Sequence, residues 1–543
     1  MINDSIKKQL SWAWAVTAGF RWKIALYILL EIISVTLLLY FVYCSREAID
    51  MAMHVVPGNL KLMLTFMVFS VALSVAAGLM SSWIGEYTKN GMTMRLQNSL
   101  AHSQMMMAWR MKKDWHTGDL MVRLYTDCAE VVQMLVYTLP SLVVTSVKLT
   151  ASLAFLWILD PMLALLILAI TPLFLFSKIY YKKMRKISRE VKQAESRLGT
   201  VLQENLKHRS LIQALLFTDV REKKLTEAQD SFFQMKIRQL KFTTLSHGIL
   251  KLTFNGGYLL AFLWGIIRLH TGHISYGTMA AFLQLVGRVQ VPIFSMVAFL
   301  PAAIRCRTAI ERIMEMNKGE RENFGNPIKL NPPLSLKLHQ LSFRYDEKEV
   351  INQLNVVFQS GIPTVITGAS GKGKTTLIRL ILALFKPDSG SLTLTQSDGA
   401  SHAISVATRS NIAYVPQGNT LFWGTIRENL LLADIGASDK RIDEALHIAC
   451  AEFVYSLPNG IDTVIGESGY GLSEGQAQRI AIARALIRGG SIWLFDEPVS
   501  ALDSDTTKRL IQNLLEAGKE KILIFVTHDR QLMEACSNVV LLD

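Results

Sequence analysis

Six long apolar runs, separated by polar segments, fill the first 300 residues of this 543-residue chain. A helix that crosses a membrane needs about 20 mainly apolar residues, because it rises about 1.5 Å per residue through a hydrocarbon layer about 30 Å thick. All six runs reach about this length, whereas buried core helices of soluble proteins need only about 10 to 14 apolar residues. The pattern therefore predicts six membrane-spanning helices. They cover residues 22–44, 62–84, 131–159, 162–181, 249–267 and 278–300.

The polar connections between these runs differ in length and charge. The connections near Asp160 and near His273 are short, and segment 45–61 carries little positive charge. Segments 85–130 and 182–247 are long, rich in Lys and Arg and free of proline. Because positively charged loops face the cytoplasm, we expect the two long segments and both termini on the cytoplasmic side. Their length and lack of proline also predict helices that continue well past the bilayer.

Four ionisable residues fall inside the predicted spans, namely Glu31, Lys148, Lys251 and Arg288. Charge at bilayer depth is costly, so such groups face a partner or a cavity. In one interpretation Lys251 extends to the membrane interface, and Glu31 pairs structurally with Lys148 or Arg288. In the other, the basic residues belong to a polar translocation cavity for an anionic or zwitterionic substrate.

The composition changes after residue 300. A segment holding Pro327, Pro332 and Pro333 has the character of a linker, and from Leu334 onward short β-rich runs alternate with helical runs. We therefore predict a multi-domain membrane protein with an all-α six-helix transmembrane domain and an α/β domain. The predicted bounds are 1–315 for the transmembrane domain, 316–333 for the linker and 334–543 for the α/β domain.

Composition and charge agree with a membrane protein. Half of the residues are hydrophobic and 19% are charged, which is too apolar for a wholly soluble protein. The formal net charge of +13 raises the question of nucleic-acid binding. The basic residues cluster between apolar runs, and no aromatic residues are interleaved with them as on a nucleic-acid platform. We therefore expect a lipid bilayer as a partner and no nucleic acid.

The five cysteines are scattered and odd in number, so we expect neither a disulfide framework nor a zinc site. The first apolar run follows Arg21 and is too long for a cleaved signal peptide. We expect it to stay in the membrane, with the mature chain beginning near Met1.

A phosphate-binding loop stands between a strand-like run, 363–367, and a helical run, 377–385. Glycines at such a loop let backbone N–H groups surround phosphates at a helix N-terminus. We expect Lys374 to reach the outer phosphates and the Thr375 hydroxyl to bind Mg²⁺. The loop reads Gly368, Ala369, Ser370, Gly371, Lys372, Gly373, Lys374, Thr375 and Thr376.

An acidic pair, Asp496 and Glu497, ends a second apolar strand at 491–495. Behind a phosphate-binding loop, the first acid of such a pair can hold Mg²⁺, usually through water, and the second can orient the attacking water. The α/β domain is therefore predicted to be a P-loop ATPase that uses ATP and Mg²⁺, with Glu497 as a catalytic residue.

Further motifs surround these residues in a fixed order over about 180 residues, and together they resemble the ABC transporter family. They are Tyr345, the run Tyr414-Val415-Pro416-Gln417, the run Leu472-Ser473-Glu474-Gly475-Gln476, the run Ser500-Ala501-Leu502-Asp503 and the run Val526-Thr527-His528-Asp529. Three further segments, 421–429, 463–469 and 117–124, are similar to the exporter branch. The last of these looks like its usual coupling segment.

The resemblance implies a role for each motif. Tyr345 stacks on adenine, Gln417 contacts Mg²⁺ and nucleotide, and His528 is a switch residue in catalysis. Ser473 and Gly475 contact the γ-phosphate held by a second subunit. The resemblance also assigns Gln476 and Asp503 to nucleotide binding. Two copies then close around ATP, and one chain alone cannot complete a site.

The chain departs from the family pattern at Glu474, where glycine is usual. An acid there lies near a phosphate site and is expected to slow turnover. We predict ATP-driven export of an amphipathic small molecule, lipid or peptide by a dimer in a bacterial inner membrane, with the ATPase domain in the cytoplasm. Import of a metal chelate or siderophore by the same fold is one alternative. A non-pumping regulatory protein is another, which intact Lys374, Glu497 and His528 disfavour.

Overall fold

The computed structural model describes residues 2–109, 117–170, 177–297, 299–322, 325–345, 348–369, 371–466 and 471–542. The chain divides into two compact units. The first unit contains Met1–Gln104 and Trp115–Lys318 and is helical. The second contains Met105–Asp114 and Gly319–Asp543 and is built from strands and helices.

The helical unit consists of long helices joined by short connections. Two stretches, Arg123–Asp127 and Met134–Thr138, are single π-helical turns that continue the helical run on either side of them. The helices are α1 Ile2–Val16, α2 Arg21–Ala52, α3 Leu60–Met105, α4 Thr117–Val122, α5 Cys128–Gln133, α6 Leu139–Leu159, α7 Pro161–Ile170, α8 Ser177–Lys207, α9 Arg209–Ala214, α10 Thr218–His270, α11 Tyr276–Val297 and α12 Phe299–Met316.

Three of the described helical stretches, Arg21–Ala52, Leu60–Met105 and Asp119–Leu159, are long and apolar enough to cross a membrane. They contain the predicted spans 22–44, 62–84 and 131–159. The predicted span 249–267 lies within α10. The predicted span 278–300 begins in α11 and ends in α12, and its residue 298 lies outside the described residues. The span 162–181 begins in α7, and its residues 171–176 lie outside the described residues. The helix α3 continues far beyond the apolar run that it contains.

Buried carboxylates tie the helix ends together. Asp50, near the end of α2, accepts hydrogen bonds from the Ser275 hydroxyl at 2.7 Å and the Gly277 N–H at 2.9 Å. Asp160, between α6 and α7, accepts from Arg268 Nε at 3.1 Å on α10. Asp160 also accepts from two backbone N–H groups at the start of α7. Each carboxylate thus caps one helix and fixes it to a neighbour.

The predicted pairing of Glu31 with Lys148 or Arg288 is an electrostatic interaction with Lys148 and not a direct ion pair. Glu31 instead accepts a hydrogen bond from the Ser81 hydroxyl of α3. No ion pair joins it to either basic residue within the described ranges. Lys251 is exposed on α10. A neutral hydroxyl at bilayer depth therefore satisfies the carboxylate.

In the described residues, the second unit contains two large sheets and a small two-stranded one, β7-β8. One large sheet is antiparallel, in the order β2-β1-β4-β5, and the other is parallel, in the order β11-β3-β10-β9-β6. The central strands β9 and β10 are buried along their whole length, as expected of a parallel sheet covered on both faces. The strands are β1 Leu334–Tyr345, β2 Lys348–Gln359, β3 Thr364–Thr367, β4 Ser389–Gln396, β5 Ser401–Ala403, β6 Ile412–Val415, β7 Gly424–Thr425, β8 Val464–Ile465, β9 Ile492–Asp496, β10 Ile522–Val526 and β11 Asn538–Leu541.

The helices of this unit are α13 Lys374–Ile381, α14 Ile426–Leu431, α15 Asp439–Ile448, α16 Glu474–Arg488, α17 Ser504–Ala517 and α18 Arg530–Ala535. The helix α13 stops short of the predicted end at residue 385. Ala383 has a positive φ of 52°, a backbone conformation that ends an α-helix.

The segment after α12 is bonded to residues 106–108. The Ala108 N–H donates to Glu320 O at 3.0 Å, and the Glu322 N–H donates to Met106 O at 2.8 Å. The Glu322 carboxylate accepts two hydrogen bonds from Arg409, at 2.9 and 3.2 Å. This part of the predicted linker is therefore held by the second unit rather than free in solvent.

Candidate functional site

Three neighbouring parallel strands carry most of the predicted site residues. The strand β10 lies between β3 and β9, and the register pairs Val526 with both Ile366 and Asp496. Because the carboxyl ends of parallel strands meet at one edge of a sheet, the phosphate-binding loop, the acidic pair and the His528 segment converge there. Gln417 follows β6, which pairs with β9 on its other side.

Glycine is required at two positions of the phosphate-binding loop. Gly373 has a φ of 93°, and a Cβ there would lie 3.0 Å from Val350 O. Gly368 has a φ of 153°, and a Cβ there would lie 2.4 Å from Leu542 O. The loop therefore passes close to β2 and to the end of β11 without side chains in between, which leaves its N–H groups open to a ligand. Ser370 lies outside the described residues, while Ala369, Gly371 and Lys372 are exposed.

Lys374 is the first residue of α13, and its ammonium group lies over the loop. Its Nζ donates to Gly368 O at 2.5 Å and lies 2.8 Å from His528 Nε2. Thr375 is exposed, and its hydroxyl makes no hydrogen bond among the residues that the structure describes. Thr376 is buried and bonds to Tyr345 Oη at 3.4 Å. The first turn of α13 thus connects the loop to the predicted adenine-stacking residue.

Asp496 and Glu497 differ in environment although they are adjacent. Asp496 is 7% exposed at the end of β9. Burial raises its pKa to about 6, with repulsion from Glu497 adding to the effect and attraction to Lys374 opposing it. Its carboxylate is therefore partly protonated near pH 6 and ionised above pH 7.

Glu497 has a positive φ of 51°, an unfavourable conformation for a residue with a side chain. Its N–H donates to Val526 O at 2.8 Å, and its carbonyl oxygen accepts from Gln478 Nε2 at 2.5 Å. Its carboxylate accepts from the Thr527 hydroxyl at 3.1 Å. The surrounding contacts hold both backbone and side chain in one orientation at the edge of the sheet.

Sequence reasoning missed Gln478 and Thr527 as supports of Glu497. Gln478 is 2% exposed and lies on α16, where the neighbouring buried residues are mostly apolar. Thr527 is buried and lies between β10 and His528. The sequence does show both as polar residues next to apolar runs. A polar side chain that is buried there needs a hydrogen-bond partner, and this need could have pointed to Glu497.

Tyr345 ends β1 and is 39% exposed. Its hydroxyl accepts from Arg379 Nη1 at 3.2 Å, and its ring packs edge-to-face against Phe343 and Phe385. The exposed part of the ring remains open for stacking.

The signature residues start α16. The Ser473 hydroxyl accepts from the Gln476 N–H at 3.2 Å, and the Ser473 N–H donates to Gln476 Oε1 at 2.9 Å. This reciprocal pair is a capping box, which places the start of α16 at residue 474. A Cβ on Gly475 would lie 2.5 Å from Ala501 O, so glycine is required for packing. Glu474 is exposed.

Within the described part of the chain, no hydrogen bond joins Ser473, Gly475 or Gln476 to Lys374 or to the Glu497 carboxylate. Asp503 caps α17 by accepting from the Thr506 N–H at 2.9 Å and the Asp505 N–H at 3.2 Å. These bonds hold the pKa of its carboxyl below the usual range. One chain therefore assembles the phosphate loop, acidic pair and histidine, but not the signature residues, into a connected site.

The exporter-like segments 421–429 and 463–469 meet in the small sheet formed by β7 and β8. Glu467, Ser468 and Gly469 of the second segment lie outside the described residues.

Comparisons with known proteins agree with this architecture. Residues 24–293 match the family model described as the ABC transporter transmembrane region, and residues 351–500 match the model described as ABC transporter. Together they cover about three quarters of the chain. The second match contains the phosphate-binding loop, Gln417, the signature residues and the acidic pair.

Similar proteins cover most of the chain. A Rickettsia bellii protein named as an export ATP-binding/permease protein is 27% identical over 434 residues, which are 78% of this chain and 75% of the relative. An ABC transporter ATP-binding protein of Bacillus subtilis, YfiB, is 28% identical over 82% of this chain and 79% of its own.

The solved structure of a bacterial Atm1-family ABC exporter with ATP bound has the same fold, with a TM-score of 0.80 and 20% identity. The alignment covers 97% of this chain and 95% of that one. An ATP-binding domain fused to this helical domain makes the protein an ATP hydrolase coupled to membrane transport. The chain belongs to the ABC transporter family, as an exporter-type half-transporter with one transmembrane domain and one ATP-binding domain.

Proposed function

We propose that two copies of this chain export an amphipathic small molecule, lipid or peptide by alternating access, driven by ATP hydrolysis. The observation that carries the proposal is the convergence of Lys374, Asp496, Glu497 and His528 at one edge of the parallel sheet. This arrangement contains a cation for phosphates, a metal-binding carboxylate and a base held in position. The Rickettsia relatives named as export proteins support the direction, and the bacterial sources of these relatives and of the Bacillus subtilis relative support a bacterial inner membrane with a cytoplasmic ATPase domain.

The residues present fit Mg²⁺. Mg²⁺ prefers oxygen ligands, and Thr375, Gln417 and Asp496 offer a hydroxyl, an amide and a carboxylate oxygen. The side chains of Thr375 and Gln417 are exposed and have no hydrogen-bond partner in the described ranges, so their oxygens are available. When bound, Mg²⁺ supplies charge neutralisation at the phosphate oxygens.

The chain's own residues position the reacting groups. Lys374 binds the outer phosphates, the loop N–H groups of residues 368–376 surround them, and Tyr345 stacks on adenine. The Glu497 carboxylate orients the attacking water and takes its proton, while Thr527 keeps one carboxylate oxygen in place. His528, which lies beside Lys374, stabilises the γ-phosphate during the reaction.

A second subunit completes each site in this proposal. The N-terminus of α16 carries Ser473, Gly475 and Gln476, and it favours an anion because its N–H groups and helix dipole point outward. Its predicted ligand, the γ-phosphate, is bound by the phosphate loop of the other copy. Asp503 lies at the start of α17, close to the loop that packs on Gly475.

An ion network joins the predicted coupling segment to the last helix of the transmembrane unit. Asp119 accepts from Arg123 Nε at 2.9 Å and from Arg312 Nη2 at 2.8 Å. Arg123 also donates to Arg312 O at 2.6 Å. We propose that this network couples α4 to α12 during the transport cycle.

The direct test is Glu497→Gln in protein reconstituted into lipid. The amide keeps the size of the side chain and an acceptor for Thr527 but cannot take a proton. We expect ATP binding to persist while kcat falls by about 10²-fold to 10⁴-fold, the usual contribution of a general base. Magnesium-dependent hydrolysis at the wild-type rate in this variant would contradict the proposal.

A further inference from the structure

In the transmembrane unit, two basic side chains lie at the same distance from one end of their helices, the C-terminal end of α6 and the N-terminal end of α11. Lys148 of α6 lies twelve residues before Asp160, and Arg288 of α11 lies twelve residues after Tyr276. Each separation corresponds to about 18 Å along the helix axis. In a hydrocarbon layer about 30 Å thick, both side chains therefore start close to the middle of the membrane.

The helices that carry them pack together. The helices α6 and α11 contact each other, and both contact α2, which carries Glu31. Lys148 is close enough to interact electrostatically with both Arg288 and Glu31. Two cations and one carboxylate thus form a single cluster with an excess of positive charge.

The excess charge has no partner among the residues that the structure describes. Glu31 already accepts the Ser81 hydroxyl. Lys148 and Arg288 are half-buried, and neither makes a hydrogen bond or an ion pair among the described residues. Their ammonium and guanidinium groups carry eight N–H donors between them. Such groups at bilayer depth face a partner or a cavity, and the described part of the chain supplies no acceptor.

We propose that Lys148 and Arg288 form an anion-binding subsite of the transport pathway, which takes the sulfonate, carboxylate or phosphate group of an amphipathic substrate. The proposal rests on the transport function proposed above and names its substrate class. Glu31 determines how much negative charge the subsite accepts. A carboxylate beside the two cations disfavours a second negative charge on the ligand, so a monoanion fits better than a dianion.

The test compares two probes that share an aromatic scaffold. The anion 1-anilinonaphthalene-8-sulfonate and its neutral parent, N-phenyl-1-naphthylamine, differ by one sulfonate group. Equilibrium binding to the full chain in nanodiscs is measured without ATP, with empty nanodiscs subtracted. We expect the wild type to bind the anion and Lys148→Gln/Arg288→Gln to bind it at least about tenfold more weakly, as expected for the loss of charge-assisted hydrogen bonds. Binding of the neutral parent is expected to stay unchanged.

Lys251→Gln is the matched control, because Lys251 also lies in a predicted span but is exposed. It is expected to leave both affinities unchanged. Because removal of an unpaired charge does not break a contact in the protein, the double variant is expected to fold. Lys148→Arg/Arg288→Lys, which keeps both charges, provides a second check and is expected to retain anion binding.

The result that would overturn the subsite is equal anion binding by the wild type and the Gln double variant, or a wild type that does not prefer the anion. These outcomes are independent of ATP hydrolysis. A chain that binds the anion through Lys148 and Arg288 but is unaffected in hydrolysis by Glu497→Gln would instead refute the proposed function and leave the subsite intact.

Discussion

At the scale of single residues, the site depends on how Glu497 is held. The residue has an unfavourable positive φ, and its backbone is fixed by Val526 and Gln478. Such strain persists only where surrounding contacts over-determine it. The proposed base is therefore held in position partly by a residue outside the recognisable motifs, Gln478.

Thr527→Val tests this positioning. The Thr527 hydroxyl donates to Glu497 at 3.1 Å and accepts from the Asp529 N–H at 3.0 Å. Valine has the same shape but makes neither bond. We expect kcat for ATP to fall by about tenfold, the equivalent of one charge-assisted hydrogen bond, with little change in ATP affinity.

Thr527→Ser is the control, because serine keeps the hydroxyl, and it is expected to retain most of the activity. If the Val and Ser variants turned over ATP equally well, the hydroxyl would have no role in positioning Glu497.

Asp496 gives a prediction on pH and stability. Its folded-state pKa is raised from 3.8 to about 6, because burial disfavours the ionised form. The protonated carboxyl therefore makes its full contribution to the stability of the folded state below pH 3.8, and this contribution is lost as the pH rises through 6. Above pH 7 the ionised buried carboxylate destabilises the ATPase unit. We expect Asp496→Asn to be more stable than the wild type by about 3 kcal/mol at pH 7.5, a difference that disappears near pH 4.

The measurement is the melting temperature of the intact protein in nanodiscs at both pH values. Equal melting temperatures at pH 7.5, or a stabilisation by Asn that does not depend on pH, would show that the burial of Asp496 does not raise its pKa.

At the scale of elements, α16 combines a capped N-terminus with the anion-binding role that we propose for it. Ser473 and Gln476 cap the helix, Gly475 packs on Ala501, and Glu474 projects from the first turn into solvent. An acid in the first turn stabilises the helix dipole, but it also repels a phosphate at the same terminus. If the phosphate binds there as proposed, the departure from the family pattern stabilises the helix and weakens nucleotide binding.

Glu474→Gln isolates the charge. We expect the KM for ATP to fall by about twofold to fivefold, as a helix-terminal charge contributes about 0.3–1 kcal/mol, and the effect is expected to shrink in high salt. Glu516→Gln removes an exposed acid from α17 and serves as the control. An unchanged KM in Glu474→Gln would place the residue away from the phosphate.

The sequence predicted the elements around the site better than their ends or contacts. The strands β3 and β9 and the phosphate loop follow from local patterns of apolar residues and glycines. The end of α13 does not, since it depends on the left-handed conformation of Ala383. Likewise Gly475 is required by contact with a loop 26 residues later, and Glu31 finds its partner on another helix. Such tertiary contacts carry no local signal.

At the scale of the whole molecule, transport requires that changes at the ATPase unit reach the helices. Arg123, which is buried, and Arg312 share Asp119 and connect α4 with α12. Single π-helical turns lie beside this network, at Arg123–Asp127 and Met134–Thr138. Such turns interrupt regular packing and often occur at functional sites.

Arg123→Ala is expected to uncouple the two activities. Removal of the guanidinium leaves Asp119 without its partner in the adjoining π-helical turn, so basal ATP hydrolysis persists while its stimulation by a transported compound falls at least about fivefold. Arg305→Ala, which breaks an exposed ion pair with Glu130, is the control. If both variants retained full stimulation, the network would have no role in coupling.

We propose that two chains share each ATP site. Two variants that are inactive for different reasons should then restore ATP hydrolysis when they are combined in one dimer. Lys374→Ala disables a phosphate loop. Ser473→Asp keeps the helix cap, because Asp is a good N-cap residue, but places a carboxylate against the phosphate. Heterodimers isolated through two different tags are measured for magnesium-dependent ATP hydrolysis.

A heterodimer of Lys374→Ala with Ser473→Asp has one intact shared site, formed by Lys374 of one chain and Ser473 of the other. We expect this heterodimer to hydrolyse ATP and each homodimer to be inactive. A heterodimer of the wild type with the Lys374→Ala/Ser473→Asp chain has no intact shared site and is predicted to be inactive. The opposite result, an inactive first pair and an active second pair, would show that each chain completes its own site and would contradict the account.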